Sequence, residues 1–205
     1  MEIKKIISLD MDQNCYLISK DGKGILIDPG SDSEKILKEC EGILIEYILL
    51  THCHYDHIES LEYIKEVKNA KVVSSENCSN NIQDSYINVS EFFGRKVTLK
   101  AADITLSDGE IFSTFVGDIK CIHTPGHTDC SVCYILDNHV FSGDTLFKSN
   151  VGRWDLPTAD VNSLIYSIKN KIYTLPDEFI IHSGHGNDTT VADEKEFNMY
   201  VRADK

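Results

Sequence analysis

A short segment rich in histidine is the first place where this sequence could do chemistry. His52, His54 and His57 fall within six residues, together with Cys53 and Asp56. Alternate side chains of an extended segment share a face, so we expect His52 and His54 to point one way while Cys53 turns toward the core. The chain then bends into a predicted helix, which brings Asp56 and His57 to a neighbouring position. Because imidazoles and carboxylates bind divalent metal ions, the spacing predicts two adjacent cation sites.

Asp56 has a second interpretation that needs no metal. With Glu59 three residues later, it forms the capping-box pattern that begins a helix. A cap alone does not explain why three metal-competent imidazoles surround this carboxylate. We therefore favour the ligand role for Asp56.

Three further candidate ligands lie downstream, each just after a predicted strand and each beside a glycine. They are His127 in the segment 124–128, Asp144 in 142–145 and His185 in 184–186. Glycine allows a sharp turn and a close approach, and strand ends deliver side chains from a rigid scaffold into one crevice. Any one of the three is more often an ordinary loop residue, so the prediction depends on the set of seven.

The elements that must position these residues alternate between strands and helices. Short apolar runs bounded by turn residues predict strands at 24–27, 47–50, 71–73, 119–122, 132–136, 139–141 and 179–181. Helical spacing, preceded each time by a Ser or Asp able to cap, predicts helices near residues 36–37, 58–64 and 164–172. The turn residues at 107–109 and 137–138 predict hairpins. For the polar segment 74–90 we predict a loop with at most a helical turn, and favour a plain surface excursion over a lid.

Composition bounds the class of protein and its partners. The length and apolar content predict one globular domain over residues 1–205. A formal charge of −13 would repel phosphate chains and anionic lipids, so we expect a small-molecule substrate and no nucleic-acid or membrane partner. No apolar stretch reaches the roughly 18 residues of a membrane span, and the N-terminus lacks a signal-peptide pattern. Seven cysteines without framework spacing indicate reduced thiols and a cytoplasmic location.

Three other histidines and one cysteine pair receive structural interpretations. His123, His139 and His182 fall in or beside predicted strands, outside the histidine-rich motifs. Cys130 and Cys133 have the spacing of a redox or zinc motif, but residues three apart on a strand face opposite ways. We favour buried packing for this pair and assign it no function.

In this order and at these separations, the four ligand-bearing segments resemble the metallo-β-lactamase superfamily. The Thr-Pro-Gly-His-Thr segment ending at Thr128, the Ser-Gly-Asp-Thr-Leu-Phe segment ending at Phe147 and the Gly-His-Gly-Asn-Asp-Thr-Thr segment ending at Thr190 are similar to its glyoxalase II (hydroxyacylglutathione hydrolase) branch. The resemblance covers about three quarters of the chain. It implies an α/β fold, an αββα sandwich of two mixed sheets with helices on the outer faces.

The resemblance also implies how the seven residues share two metal ions. His52, His54 and His127 would hold the first ion, Asp56, His57 and His185 the second, and Asp144 would bridge them. Asp56 is in addition a candidate proton shuttle. Nitrogen and carboxylate ligands without thiolate favour zinc, although iron and manganese accept the same set.

Such a pair of divalent ions predicts hydrolysis without a serine or cysteine nucleophile. A bridging hydroxide, formed because the ions lower the pKa of water, would attack the substrate carbonyl while one ion stabilises the oxyanion. A thiolate can leave without strong acid help because its conjugate thiol has a pKa of about 8.5. We therefore predict cleavage of a thioester or a related ester.

Two departures from the glyoxalase II pattern concern substrate binding. The helical C-terminal extension that contributes to glutathione binding there has no counterpart in the twenty residues that follow His185 here. After Asp144, the Gly152–Arg153 step is kept, but the family's cysteine and tyrosine are missing. Only Arg153 carries over as a substrate-contact candidate, and an ion pair with Asp155 is an equally good prediction.

Other activities on the same scaffold rank below hydrolysis of thioesters. Persulfide dioxygenases of similar fold use one iron on positions that match His52, His127 and Asp144, but their Thr-Asp-Phe-Gln after Gly-Arg is replaced here by the segment that begins at Trp154. A lactonase ranks lower still. A nuclease needs a basic surface, which the acidic charge disfavours. A non-catalytic binding module ranks last, because no ligand is missing.

Overall fold

The fold consists of two six-stranded sheets that pack face to face. The computed structural model describes residues 1–9 and 11–203. The first sheet has the order β1-β2-β3-β4-β5-β6. Its strands are β1 (Glu2–Ile7), β2 (Asn14–Lys20), β3 (Lys23–Ile27), β4 (Leu44–Leu49), β5 (Lys71–Ser74) and β6 (Ile104–Thr105). The first three strands are antiparallel and the last four run parallel, so the sheet is mixed.

The second sheet is also mixed and has the order β14-β13-β10-β9-β8-β7. Its strands are β7 (Ile111–Thr114), β8 (Gly117–His123), β9 (Val132–Leu136), β10 (His139–Gly143), β13 (Ile180–Ser183) and β14 (Thr189–Thr190). Only β10 and β13 pair in parallel. A short hairpin of β11 (Leu146–Phe147) and β12 (Asn150–Val151) follows β10 in the chain and forms a separate two-stranded sheet.

Helices complete the layers. They are α1 (Ser33–Glu39), α2 (Tyr55–Ile58), α3 (Leu61–Lys68), α4 (Glu76–Asn81), α5 (Val161–Ser167) and α6 (Val191–Phe197). A 3-10 turn occupies Ser90–Phe93, and a π-helical turn, Ile168–Ile172, extends α5. Within the described residues, none of these helices has the length and apolar character needed to cross a membrane.

The alternation of side chains along the strands explains why there are four layers. In β3, Ile25 and Ile27 enter the core between the sheets, whereas Leu26 faces the opposite way and packs with Ile36 of α1. In the second sheet, Tyr134 of β9 joins the same inner core. Its neighbours Cys133 and Ile135 pack outward with Leu164 and Ile168 of the α5 region. Both sheets are thus buried on two faces, and the predicted αββα sandwich is confirmed.

The ligand-bearing segments follow strands that end at one edge of the sandwich. Two backbone hydrogen bonds join the sheets there: Val132 N–H donates to the Thr51 carbonyl at 2.8 Å, and Asn14 N–H donates to the Gly184 carbonyl at 2.7 Å. A third, from Gly184 N–H to the Gly143 carbonyl at 2.8 Å, ties the ends of β10 and β13 together. The edge is therefore a fixed frame for the candidate site.

All seven predicted strands exist, with ends displaced by a few residues, and the hairpin at 137–138 joins β9 to β10 as expected. The hairpin predicted at 107–109 is wrong, because β6 belongs to the first sheet and β7 to the second, so this turn carries the chain between sheets. The helix predicted over 58–64 is broken at Ser60, whose N–H donates to the Pro29 and Gly30 carbonyls.

Several elements were not predicted. Strands β1 and β2 and helix α6 carry polar and apolar residues without a clean period. Segment 74–90 contains a full helix, α4, capped by the Ser75 hydroxyl, which accepts from the Cys78 N–H. Buried packing of the cysteine pair is confirmed: Cys130 lies in the outer core of the first sheet and Cys133 in that of the second.

Candidate metal centre

The histidine-rich segment leaves β4 and enters the short helix α2. His54 is the N-cap residue of α2 with extended backbone, and Asp56 lies inside the helix. Asp56 is therefore not the capping residue, and its carboxylate is free to face the centre. Cys53 points into the core, as the alternation of side chains predicts.

Three histidines form the first group of candidate ligands, which we call the histidine trio: His52, His54 and His127. One ring nitrogen of each lies within 4.8 Å of the others, and all three residues are buried. His127 Nε2 approaches His54 Nδ1 to 2.9 Å. The segment that carries His127 follows β8 and turns at Gly126. A Cβ added at Gly126 would lie 2.2 Å from the Leu164 backbone of α5, so only glycine allows the turn to pack this closely.

The second group, which we call the mixed trio, consists of Asp56, His57 and His185. Its ligand atoms also lie within 4.8 Å of one another, with Asp56 Oδ2 3.2 Å from His185 Nε2. Asp144 lies between the two groups. Its Oδ1 is 3.3 Å from His57 Nε2, and its Oδ2 is 3.6 Å from both His127 Nε2 and His185 Nε2. The structure thus brings all seven predicted residues together.

In three of these histidines, the Nδ1 atom lies beside a hydrogen-bond acceptor. His127 Nδ1 lies 2.8 Å from the Arg153 carbonyl, and His185 Nδ1 lies 3.0 Å from the Met11 carbonyl. His57 Nδ1 lies 2.9 Å from Asp28 Oδ2. A ring that donates its Nδ1–H to such an acceptor keeps the Nε2 lone pair for a cation. The surroundings therefore select the ligating tautomer.

Asp28 is a functional residue that the sequence analysis missed. Its buried carboxylate accepts from the Thr51 N–H at 2.7 Å, from the Thr51 hydroxyl at 2.5 Å and from His57. The same Thr51 hydroxyl lies 3.1 Å from His52 Nδ1. Asp28 can be grouped with His52 and His57 as ligands, but its oxygens are already engaged, so it orients the rings. The only signal in the sequence is an acidic residue directly after β3, in an Asp-Pro-Gly step that is equally typical of a turn.

Divalent cations fit this constellation. The buried atoms His52 Nε2, His57 Nε2 and Asp144 Oδ1 have no hydrogen-bond partner among the described residues. Such unsatisfied groups are costly in a protein interior unless something binds them. Glycine leaves room beside them: a Cβ at Gly184 would lie 2.2 Å from Asp144 Oδ1. The donor set of imidazoles and carboxylates is the one that zinc and iron accept.

The electrostatics differ between the two groups. Burial and the neighbouring His57 imidazole hold the pKa of His52 well below its usual value, and burial lowers the pKa of His54 to about 3. Burial acts on His57 in the same direction, but the carboxylates of Asp144 and Asp56 outweigh it and raise the pKa of His57 well above the ordinary value. The lowered pKa values favour the neutral, ligating form of His52 and His54, whereas the carboxylates around His57 favour its protonated form in the absence of a cation.

A cavity of about 450 Å³ opens onto the centre. Its wall is largely apolar and includes Met11, Val89, Phe93, Phe147 and Leu156. Val89 lies in segment 74–90, so that segment contributes to the site.

Two cations line the same cavity. The guanidinium of Arg153 binds both carboxylate oxygens of Asp155, at 2.8 and 2.9 Å, and both side chains are exposed. The predicted ion pair therefore exists. In the described part of the chain, Lys148 has no carboxylate partner, so it is the cation of this cavity that remains available to an anion.

Comparison with known sequences identifies the family. The model of the metallo-beta-lactamase superfamily matches residues 10–185. The chain is 32% identical over 214 residues to the hydroxyacylglutathione hydrolase GloC of Haemophilus influenzae, covering 99% of both chains. It is 36% identical over 196 residues to the probable metallo-hydrolase YqgX of Bacillus subtilis, covering 92% of each. The resemblance to the glyoxalase II branch is confirmed by these relatives.

Solved structures of similar fold support the same family assignment. The B3 metallo-β-lactamase BLEG-1 superposes with a TM-score of 0.92 at 32% identity, over 98% of this chain and 99% of that one. TTHA1623 in a di-iron-bound form gives 0.85 at 29% identity, over 97% and 100%. ETHE1 from Myxococcus xanthus gives 0.83 at 27% identity, over 98% and 84%. With the sequence match and the geometry above, these neighbours establish that the chain belongs to the metallo-β-lactamase superfamily.

Proposed function

We propose that this protein is a binuclear metallohydrolase that cleaves a thioester or a related ester. The observation that carries the proposal is the position of Asp144, whose two oxygens face the histidine trio and the mixed trio at once. The name of the GloC relative, a hydroxyacylglutathione hydrolase, supports a thioester as the substrate class.

The seven residues divide between two ions. In this proposal the histidine trio would hold the first, the mixed trio would hold the second, and Asp144 would be shared between them. Zinc is the first candidate because imidazole and carboxylate ligands suit it, and the di-iron form of TTHA1623 makes iron the second. When bound, the two ions supply a water of lowered pKa and a Lewis acid for the carbonyl.

The protein's own groups position the substrate and handle the proton. Asp56 Oδ2 lies 3.2 Å from His185 Nε2 at the cavity wall, where a carboxylate can pass a proton to the departing group. A thiolate leaving group needs little such help, since its conjugate thiol is acidic. Met11, Val89 and Phe93 form an apolar wall that excludes water from the acyl portion. Lys148 is the side chain we propose for an anionic group of the substrate, with Arg153 as a secondary contact.

The test combines metal analysis with turnover. We expect about two metal ions per purified chain and hydrolysis of S-lactoylglutathione or simpler thioesters. Asp144→Ala should reduce turnover by roughly 10³-fold or more, because it removes the carboxylate shared by both ion sites. Asp118→Ala, which changes an exposed carboxylate of β8, is the matched control and should keep both metal and activity. Two bound metals without hydrolysis of any ester, thioester or lactone would contradict the proposal.

A mononuclear iron persulfide dioxygenase is the second candidate, favoured by the similarity to ETHE1. It would use His52, His127 and Asp144 only. That activity leaves the mixed trio without a role, although its buried His57 Nε2 has no hydrogen-bond partner among the described residues. Oxygen uptake with glutathione persulfide, together with one iron per chain, would decide for the dioxygenase.

We further propose a cytoplasmic location and no nucleic-acid partner. All seven cysteines are free thiols in the structure, which suits a reducing compartment. The formal charge of −13 opposes binding to phosphate chains. Electrophoretic mobility shift with DNA and RNA at low salt checks the second statement, and a shifted band would contradict it.

A further inference from the structure

The loop that carries His185 is held from outside the metal centre. This loop, residues 183–188, which we call the His185 loop, connects β13 to β14. Its Gly186 carbonyl accepts from the Asn14 amide at 2.9 Å and from the Lys5 ammonium at 3.1 Å. Its Ser183 carbonyl accepts from the Asn14 amide at 2.9 Å and from the Tyr16 hydroxyl at 2.7 Å. The donors all come from β1 and β2 of the opposite sheet.

A chain of polar side chains completes this attachment. Asp188, at the end of the His185 loop, forms an ion pair with Lys5 at 2.5 Å. Its other oxygen lies 2.9 Å from His182 Nδ1, and His182 Nε2 lies 2.9 Å from His139 Nδ1. If His182 donates to Asp188, its second nitrogen accepts from His139, and both rings are satisfied in the neutral state. The His139 and His182 rings thus form one connected network with Lys5 and Asp188.

Packing fixes the His182 ring within this network. The ring stacks on Phe141 at a centroid distance of 5.0 Å and meets Tyr16 edge to face at 5.3 Å. The side chain of His182 is only 8% exposed, against 37% for Asp188. A rigid imidazole therefore supplies a fixed donor to a carboxylate whose backbone belongs to the His185 loop.

We propose that Lys5, Asp188 and His182 are positioning residues for His185. By holding the His185 loop against β1 and β2, they keep His185 Nε2 beside Asp56 and Asp144. They thereby determine how tightly the mixed trio binds its cation, and they leave the histidine trio unaffected. The inference rests on the proposed binuclear function, since it concerns the second of the two ion sites.

Zn²⁺ titration of the metal-free full-length protein, with a chromophoric chelator as competitor, tests the inference. Asp188→Ala should weaken the second Zn²⁺ about 10- to 100-fold, as loss of an outer partner of a ligand does, and leave the first unchanged. Lys5→Met should weaken the second Zn²⁺ less, and Lys5→Arg should restore it. Lys4→Met is the matched control: it removes an exposed ion pair with Glu39 from the other face of β1 and should change neither constant.

Amide hydrogen exchange of the metal-free protein gives a second readout that needs no ion. Asp188→Ala should speed exchange in the His185 loop, including the Gly184 N–H, while the segment from Thr51 to His57 keeps its protection. Unchanged Zn²⁺ constants and unchanged exchange in Asp188→Ala would overturn the inference, as would an equal loss at both ion sites. A wild-type chain that binds a single Zn²⁺ would contradict the binuclear function, and hydrogen exchange would then still decide whether Asp188 holds the loop.

Discussion

The two chain segments that supply histidines to the mixed trio are held in opposite ways. His57 lies in a fully buried segment, and its outer nitrogen meets the buried carboxylate of Asp28. His185 lies in a loop. Its side chain is 27% exposed, and its Nδ1 lies 3.0 Å from the Met11 carbonyl oxygen. Further support for that loop comes from the partly exposed pair of Lys5 and Asp188.

This difference indicates which of the two supports can be removed with the smaller loss of stability. A buried ionic group that loses its partner costs several kcal/mol, whereas an exposed pair contributes about 1 kcal/mol or less. The segment around His57 is therefore fixed by the stability of the fold. In the His185 loop, the Lys5–Asp188 pair is the support that can be removed at small cost to the stability of the fold.

The largest expected contrast comes from removing one carboxylate on each side. Asp28→Ala leaves the Thr51 N–H and hydroxyl and the His57 ring without their acceptor, so we expect a loss of roughly 3–5 kcal/mol in the free energy of unfolding. Asp188→Ala should cost about 1 kcal/mol or less. Urea unfolding of the metal-free proteins measures both values. Equal losses would mean that the two segments are not held differently.

Substitution of two glycines in the His185 loop tests how closely this loop packs against Asp144 and His57. A Cβ at Gly184 would lie 2.2 Å from Asp144 Oδ1 and 2.6 Å from His57 Cε1, so Gly184→Ala should weaken metal binding by roughly 10- to 100-fold. Gly186 has φ +74° with open space around a Cβ. Gly186→Ala should therefore cost about 1–2 kcal/mol of stability with a smaller effect on metal binding. A larger loss of Zn²⁺ affinity in Gly186→Ala than in Gly184→Ala would show that Gly184 does not pack closely against Asp144 and His57.

A smaller effect is expected at the cavity, where Lys148 and Arg153 also differ in how they are held. Because Asp155 already occupies Arg153, Lys148→Ala should raise KM for an anionic thioester about fivefold, equivalent to about 1 kcal/mol, with kcat little changed. A neutral thioester should show no such change, and Arg153→Ala should affect KM less. A larger effect for Arg153→Ala would assign anion recognition to the guanidinium.

The smallest effect concerns pH. Partial burial opposes it, but the hydrogen bond with His182 and the Lys5 ammonium together lower the pKa of Asp188 to about 2. A lowered carboxylate pKa stabilises the fold above the unfolded value of about 3.9 and loses that contribution as the pH falls toward 2. The stability difference between wild type and Asp188→Asn should thus be constant above pH 5 and shrink between pH 4 and pH 2. A difference that stays constant to pH 2 would contradict this pairing.

The sequence alone indicates which segments meet at the candidate metal centre, because the pattern that marks them is local. Three imidazoles and a carboxylate within six residues define a site before any fold is known, and the alternation of side chains places Cys53 correctly. Asp28 could not be predicted in the same way. Its role depends on β3 and β4 lying side by side, which brings it to Thr51 and His57.

The other misses have a similar origin. Strand β1 lies at a sheet edge and has polar Lys4 and Lys5 side by side between isoleucines, so its sequence pattern is weak, yet Lys5 reaches the His185 loop. The turn at 107–109 has the composition of a hairpin, but no local property tells whether the next strand joins the same sheet. In both cases the deciding interaction is between residues far apart in the chain.

The single passage of the described chain from one sheet to the other, between Thr105 and Ile111, has a consequence for folding. His52, His54, Asp56 and His57 are synthesised with the first sheet, and His127, Asp144 and His185 with the second. A cation bound by residues of both sets would link the two halves of the chain. At a thousandfold excess over Kd, such a cation would add about 4 kcal/mol to the free energy of association of the two halves. Two fragments divided at this crossing should therefore reassemble more readily when metal is supplied.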